Sequence, residues 1–139
     1  MKLDFAIFAN HATVAANGLF SLLEGGVTTF SISKIPAVCP TLCLVARFSF
    51  EANECENVFP CVVKVASPTA RHLSPDLTAE LKPRRSSFHG PYTITTLYTY
   101  NGFELMEVGV YRFTFFLGEV ALGEASLEVQ VSESHSLGS

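Results

Sequence analysis

The sequence predicts an all-β chain: an antiparallel, immunoglobulin-like sandwich with Greek-key connections and about seven or eight strands. Three observations carry that expectation. Apolar and polar residues alternate with period two over residues 42–50 and 110–117, the mark of strands with one buried face. Turn-forming dipeptides and prolines recur at intervals of roughly 8–12 residues. Gly109 stands two residues before Tyr111, the spacing of a tyrosine corner, in which the ring packs inward and its hydroxyl bonds back to the arch before the strand.

The elements follow in order. The first strand covers residues 2–9, with Leu3, Phe5, Ile7 and Ala9 sharing a face and Phe8 on the other. Asn17-Gly18 is a hairpin dipeptide. The second strand starts at Leu19 and runs as far as Ser33, with Gly25-Gly26 marking a bulge or sharp bend within it. Ile35-Pro36 and Pro40 mark the loop that ends it. The third strand, 42–50, points Leu42, Leu44, Ala46, Phe48 and Phe50 one way and Cys43, Val45, Arg47 and Ser49 the other. An acidic loop follows, and the fourth strand, 59–66, groups Cys61, Val63 and Val65.

Residues 67–91 read as a long polar segment. Within it, 74–82 fits a short helix capped by Ser74, with Pro75 at its first position and Pro83 at its end; an edge strand fits nearly as well. Residues 92–100 are a Thr- and Tyr-rich strand. Asn101-Gly102 is expected to turn the chain, and 103–105 to link it to the next strand. There Tyr111, Phe113, Phe115 and Leu117 face inward, and Val110, Arg112, Thr114 and Phe116 outward. A strict two-residue turn at Gly118-Glu119 would set Phe113 opposite Glu124, which is out of phase. The last hairpin therefore needs a three-residue loop or a bulge at Gly123. Residues 1–131 are expected to form one domain and 132–139 a polar tail.

Composition narrows the function. Only 16% of residues are charged while 48% are hydrophobic, so either both sheets bury most of their inner faces or a partner covers outer apolar surface. A net charge of −4 offers nucleic acid no attraction. Charged residues break every apolar run short of the ~20 residues that span a membrane. The first residues lack a signal-peptide pattern, so the cytoplasm is the expected compartment. The spacing of Cys39, Cys43, Cys55 and Cys61 is too loose for a zinc site, and Cys43 and Cys61 read as small core hydrophobes, leaving Cys55 as the accessible thiol. No cofactor or metal is expected.

Catalytic constellations are missing too. His11, His72, His89 and His135 are scattered, and neither a nucleophile elbow nor a phosphate loop occurs. An enzyme of unrecognised type is the weakest alternative. Arg71, His72, Lys82, Arg84, Arg85 and His89 concentrate positive charge in the 67–91 segment. They read as a solvated loop, or as a contact for a small anionic ligand or a glycan, although no Trp is available for sugar stacking. Phe8, Phe20, Val45 and Phe116 stand on the parity opposite the core. They read as a protein interface, or as a second, smaller cluster under the long loop. The function expected is a non-catalytic protein-interaction or self-associating module, as a homodimer, with small-ligand binding as the alternative.

A family resemblance adds to this. The first strand Lys2-Leu-Asp-Phe-Ala-Ile-Phe-Ala9 is followed by a turn with Gly18, then Leu19-Phe-Ser-Leu-Leu-Glu-Gly-Gly26, Ile35-Pro36, the apolar strand 42–50 and Gly109-Val-Tyr-Arg-Phe113. This order resembles a family of small bacterial proteins known only as a domain of unknown function. Its members open with an apolar-Ala-Asp-x-Ala strand and a Gly-Lys-Leu-x-x-Leu-Gly-x-Gly segment, and close with Pro-Gly-x-Tyr-x-Phe. Here Asn10 and His11 stand where Asp-Ala is common, and Val27 stands near a frequent Trp. The resemblance implies a sandwich fold and assigns no activity, so it brings no functional residues.

Overall fold

The computed structural model describes residues 1–15, 19–85 and 92–132. Among them are nine strands: β1 (Lys2–Val14), β2 (Phe20–Gly25), β3 (Thr29–Ile32), β4 (Ala37–Phe50), β5 (Phe59–Ala66), β6 (His72–Leu81), β7 (Tyr92–Leu105), β8 (Gly109–Leu117) and β9 (Val120–Val131). One sheet has the order β2-β1-β4-β7 and the other β3-β9-β8-β5-β6. The fold is the all-β sandwich of two sheets that the alternation predicts. The tail 133–139 and the Asn17-Gly18 turn lie outside the described residues.

The paired glycines do more than bend a strand. Gly25-Gly26 is where the chain leaves one sheet for the other, splitting the expected second strand into β2 and β3. Gly26 takes φ +83°, open to glycine at little cost. The amides of Gly26 and Val27 both donate to the Phe8 carbonyl, at 2.8 and 3.1 Å, and pin the crossing. After it, β3 runs parallel to β9, so the purely antiparallel expectation fails at this pair.

Three irregularities set which side chains face the core. In β1 the pairing with β4 shifts between Leu3 and Phe5, which leaves Asp4 as an extra residue. The Ser49 hydroxyl donates to the Asp4 carboxylate at 2.9 Å. This bulge flips the alternation, so Leu3, Ala6 and Phe8 face the core and Phe5 does not. In β9, Leu122 is the extra residue: Phe115 pairs with Gly123 and Phe116 with Ala121. Phe113 therefore meets Ala125, and Tyr111 meets Leu127, as the phase argument for a bulge at Gly123 requires.

The third irregularity is shared by two strands. Pro40 and Asn101-Gly102 were expected in a loop and a turn, yet both lie inside strands, facing one another across the β4–β7 ladder. On one side of this point Leu42, Leu44, Tyr98 and Tyr100 face the core; on the other, Cys39, Phe103 and Leu105 do. Both strands switch parity together, which Gly102 permits at φ +68° and which Pro40 permits by needing no ladder donor. The link 103–105 is thus the end of β7.

The core sits between the sheets. Phe8 meets Phe113 edge-on at 4.8 Å, and Phe48 and Tyr98 approach Phe115 at 5.9 and 5.8 Å. Edge contacts of this kind add ~0.5–1.5 kcal/mol each beyond the area they bury. The Tyr98 hydroxyl donates to the Cys61 carbonyl at 3.2 Å and ties one sheet to the other.

Candidate functional site

The segment expected as helix or edge strand at 74–82 is an edge strand, β6, paired with β5. That assignment separates the basic residues. Arg71 and His72 stand at its start, while Arg84 and Arg85 follow its end. Ten strand residues put roughly 33 Å between the two groups. His72 Nε2 lies 2.6 Å from the Asp76 carboxylate, and Arg85 donates to the Ala52 carbonyl at 3.3 Å. Arg84 is exposed. His89 lies outside the described residues. The four described ones therefore do not converge on one anion site.

The four outward-parity residues also separate. Phe8 is 3% exposed and belongs to the main core, because the Asp4 bulge turned it inward. Val45 is fully buried, together with Ala12 and Cys43, beneath Phe20, Leu22 and Leu97. Both are corrected as surface residues. The second cluster exists, and among the described residues Phe20 and Leu22 of β2 and Leu97 of β7 pack against it. Phe20 is half-buried there; its ring is 5.8 Å from that of Phe5, over which the Arg47 guanidinium sits at 5.5 Å. Phe116 is half-buried on the other sheet, with the Lys64 ammonium 5.4 Å from its ring.

The fold builds a cleft that the sequence did not announce. It lies at the open side of the sandwich, where β6 edges one sheet and β7 the other. Its volume is about 540 Å³. Arg71, Leu73 and Leu77 line one wall, and Tyr100, Gly102 and Phe103 the other, around the β7 kink. The Tyr100 hydroxyl is buried with no hydrogen-bond partner among the described residues. Burial first, then the Asp76 carboxylate, pushes its pKa upward, so it stays a neutral phenol.

One end of the cleft is braced by the tyrosine corner. The Thr69 hydroxyl donates to the Glu107 carboxylate at 2.7 Å, and Ser67 accepts from the Arg71 amide at 3.1 Å. The cysteines stay apart from this site. All four are free thiols, and burial pushes those of Cys39 and Cys61 up. Cys55 is half-buried, as is Cys39. Among the described residues no three His, Cys, Asp or Glu side chains group as metal ligands. No described helix is long and apolar enough to cross a membrane.

The four sheet edges differ in how they are protected. β2 is six residues long and ends at Glu24, φ +53°, and Gly25. β3 has four residues. β6 carries Pro75 within a break in its pairing, besides His72, Asp76 and Glu80. β7 has fourteen residues without Lys, Arg, Asp or Pro, and Glu104 is its sole charge. Short length, proline, charge and irregularity are the means by which edges resist pairing, and β7 lacks nearly all of them.

The chain is similar to an immunoglobulin-like protein from Pseudomonas aeruginosa, at 16% identity and a TM-score of 0.44, over 93% of this chain and 95% of that one. No curated protein matches it. The profile of a family of unknown function, DUF6941, matches residues 4–130. That match spans both sheets, from the bulge of β1 to the end of β9, and the chain belongs to this family.

Proposed function

We propose that this domain is a non-catalytic protein-interaction module that associates with a second copy of itself. The observation that carries the reading is the long edge of β7, whose sole charge is Glu104 and whose outer side pairs with no other described strand. A free edge offers a row of backbone donors and acceptors to an incoming strand. Among the described residues the oppositely charging pairs are His72 with Asp76, Lys82 with Glu56 and the amino terminus with Glu54. Light scattering across a concentration series tests the reading. A mass that rises toward that of a dimer is expected; a monomer at roughly millimolar protein, well above typical weak-dimer Kd values, overturns it.

A second reading is favoured by the cleft between β6 and β7. Its walls combine the Arg71 guanidinium with Leu73, Leu77 and Phe103, a lining suited to a small organic acid. A thermal-shift series with short-chain and aromatic carboxylates tests it. Stabilisation lost in Arg71→Ala is expected, and no shift with any carboxylate ends it.

A further inference from the structure

We infer that the contact is made by β7 pairing antiparallel with β7 of a second copy, about a two-fold axis at Leu97; this rests on the self-association reading above. The register follows from the strand itself. Pairing with β4 starts at Tyr92, and the shared kink comes at Gly102. The straight part of β7 between these points is centred on Leu97. A two-fold there sets Leu97 opposite its own copy, Thr95 opposite Thr99, and Thr93 opposite Asn101. On the inward parity it sets Thr96 opposite Tyr98 and Ile94 opposite Tyr100.

Each of these matches sets apolar, aromatic or neutral hydrogen-bonding side chains against one another. None puts like charges together, although each copy carries a net charge of −4. The single charge of the strand, Glu104, lies beyond the kink. A two-fold contact makes each match twice and turns two four-stranded sheets into one continuous eight-stranded sheet. Pairing on the edges of β2, β3 or β6 would meet their short length, their proline or their charges. The other side of β7 pairs with β4 without any register shift, so its free side presents a regular ladder.

The test is a charge swap at two exposed positions, Thr93 and Asn101. In Thr93→Lys with Asn101→Lys, each lysine faces a lysine of the second copy. In Thr93→Lys with Asn101→Glu, each lysine faces a glutamate. Sedimentation equilibrium on the wild type and both variants, each checked for its β-sheet spectrum, reads the result. The first variant is expected to raise the dimer Kd about tenfold or more, and the second to stay near the wild type. A double-lysine variant that dimerises like the wild type overturns the β7 contact while leaving self-association standing. Equal loss in both variants overturns the Leu97 register. A monomeric wild type overturns both this inference and the reading beneath it.

Discussion

The Tyr111 hydroxyl donates to the Glu107 carbonyl and accepts from the Glu107 amide, both at 3.1 Å. One side chain thus satisfies both backbone groups of a residue four positions upstream, at the corner where the chain crosses from β7 to β8. The ring beneath is 1% exposed and meets Phe103 at 5.8 Å. Tyr111→Phe keeps the ring and removes both bonds. Because Glu107 is partly exposed, water can replace some of what is lost. A loss of about 1–2 kcal/mol in urea-induced unfolding is expected, with an unchanged m-value.

Two glycines with positive φ should respond differently to alanine. Gly118 turns the last hairpin at φ +61°, with nothing within 4 Å of where a Cβ would stand. Gly118→Ala should cost only the left-handed backbone preference, about 1 kcal/mol. Gly109 sits at φ +131°, and an added Cβ would fall 2.8 Å from the Pro68 ring. Gly109→Ala should cost about 3 kcal/mol or more, since strain and overlap add. Denaturation midpoints of the two variants measured side by side check the contrast.

The difference between what the sequence disclosed and what it concealed has a common physical origin. Alternation placed residues 42–50 of β4, β5, β8 and the end of β9 correctly, because the core is built from their inward-facing side chains. An extra residue in the last hairpin was legible, as a three-residue loop or a bulge at Gly123, because two strands of known parity had to be brought into phase; the extra residue is Leu122, behind a two-residue turn. The Asp4 bulge was not, since its partner strand is not adjacent in sequence; one extra residue turned Phe8 into the core. Asn101-Gly102 misled because a tight turn and an in-strand kink both need a residue tolerant of positive φ. Only the facing Pro40 distinguishes them. The cleft and the place of β7 at the edge of its sheet depend on strand order, which local pattern does not encode.

Tyr98 and Tyr100 lie two residues apart on the inward face of β7 but differ in their hydroxyls. That of Tyr98 donates to the Cys61 carbonyl at 3.2 Å. That of Tyr100 is buried without a partner among the described residues. Tyr98→Phe should lower stability by about 1 kcal/mol, the usual net worth of such a bond. Tyr100→Phe should leave stability unchanged or raise it by up to about 1 kcal/mol, because a desolvated, unpaired hydroxyl is removed. Thermal unfolding of both variants decides it; a Tyr100→Phe that is as damaging as Tyr98→Phe would show that the hydroxyl is satisfied.

The Glu107 carboxylate supplies a pH handle on the corner. The Thr69 hydroxyl leads in holding its pKa below the ordinary 4.5; desolvation opposes it, and Ser67, the Arg71 charge and the Thr69 amide add to the lowering. A carboxyl depressed in the folded chain contributes stability above its unfolded pKa and loses that contribution as pH falls through the folded value. The bond that joins the β5–β6 turn to the β7–β8 corner should therefore weaken on the acid side of 4.5. Thr69→Val removes the leading cause, so the Glu107 carboxyl should titrate closer to its ordinary value. Carbon-detected NMR titration of that carboxyl in wild type and Thr69→Val measures the shift. Identical titration curves would mean that Thr69 does not hold the carboxylate in solution.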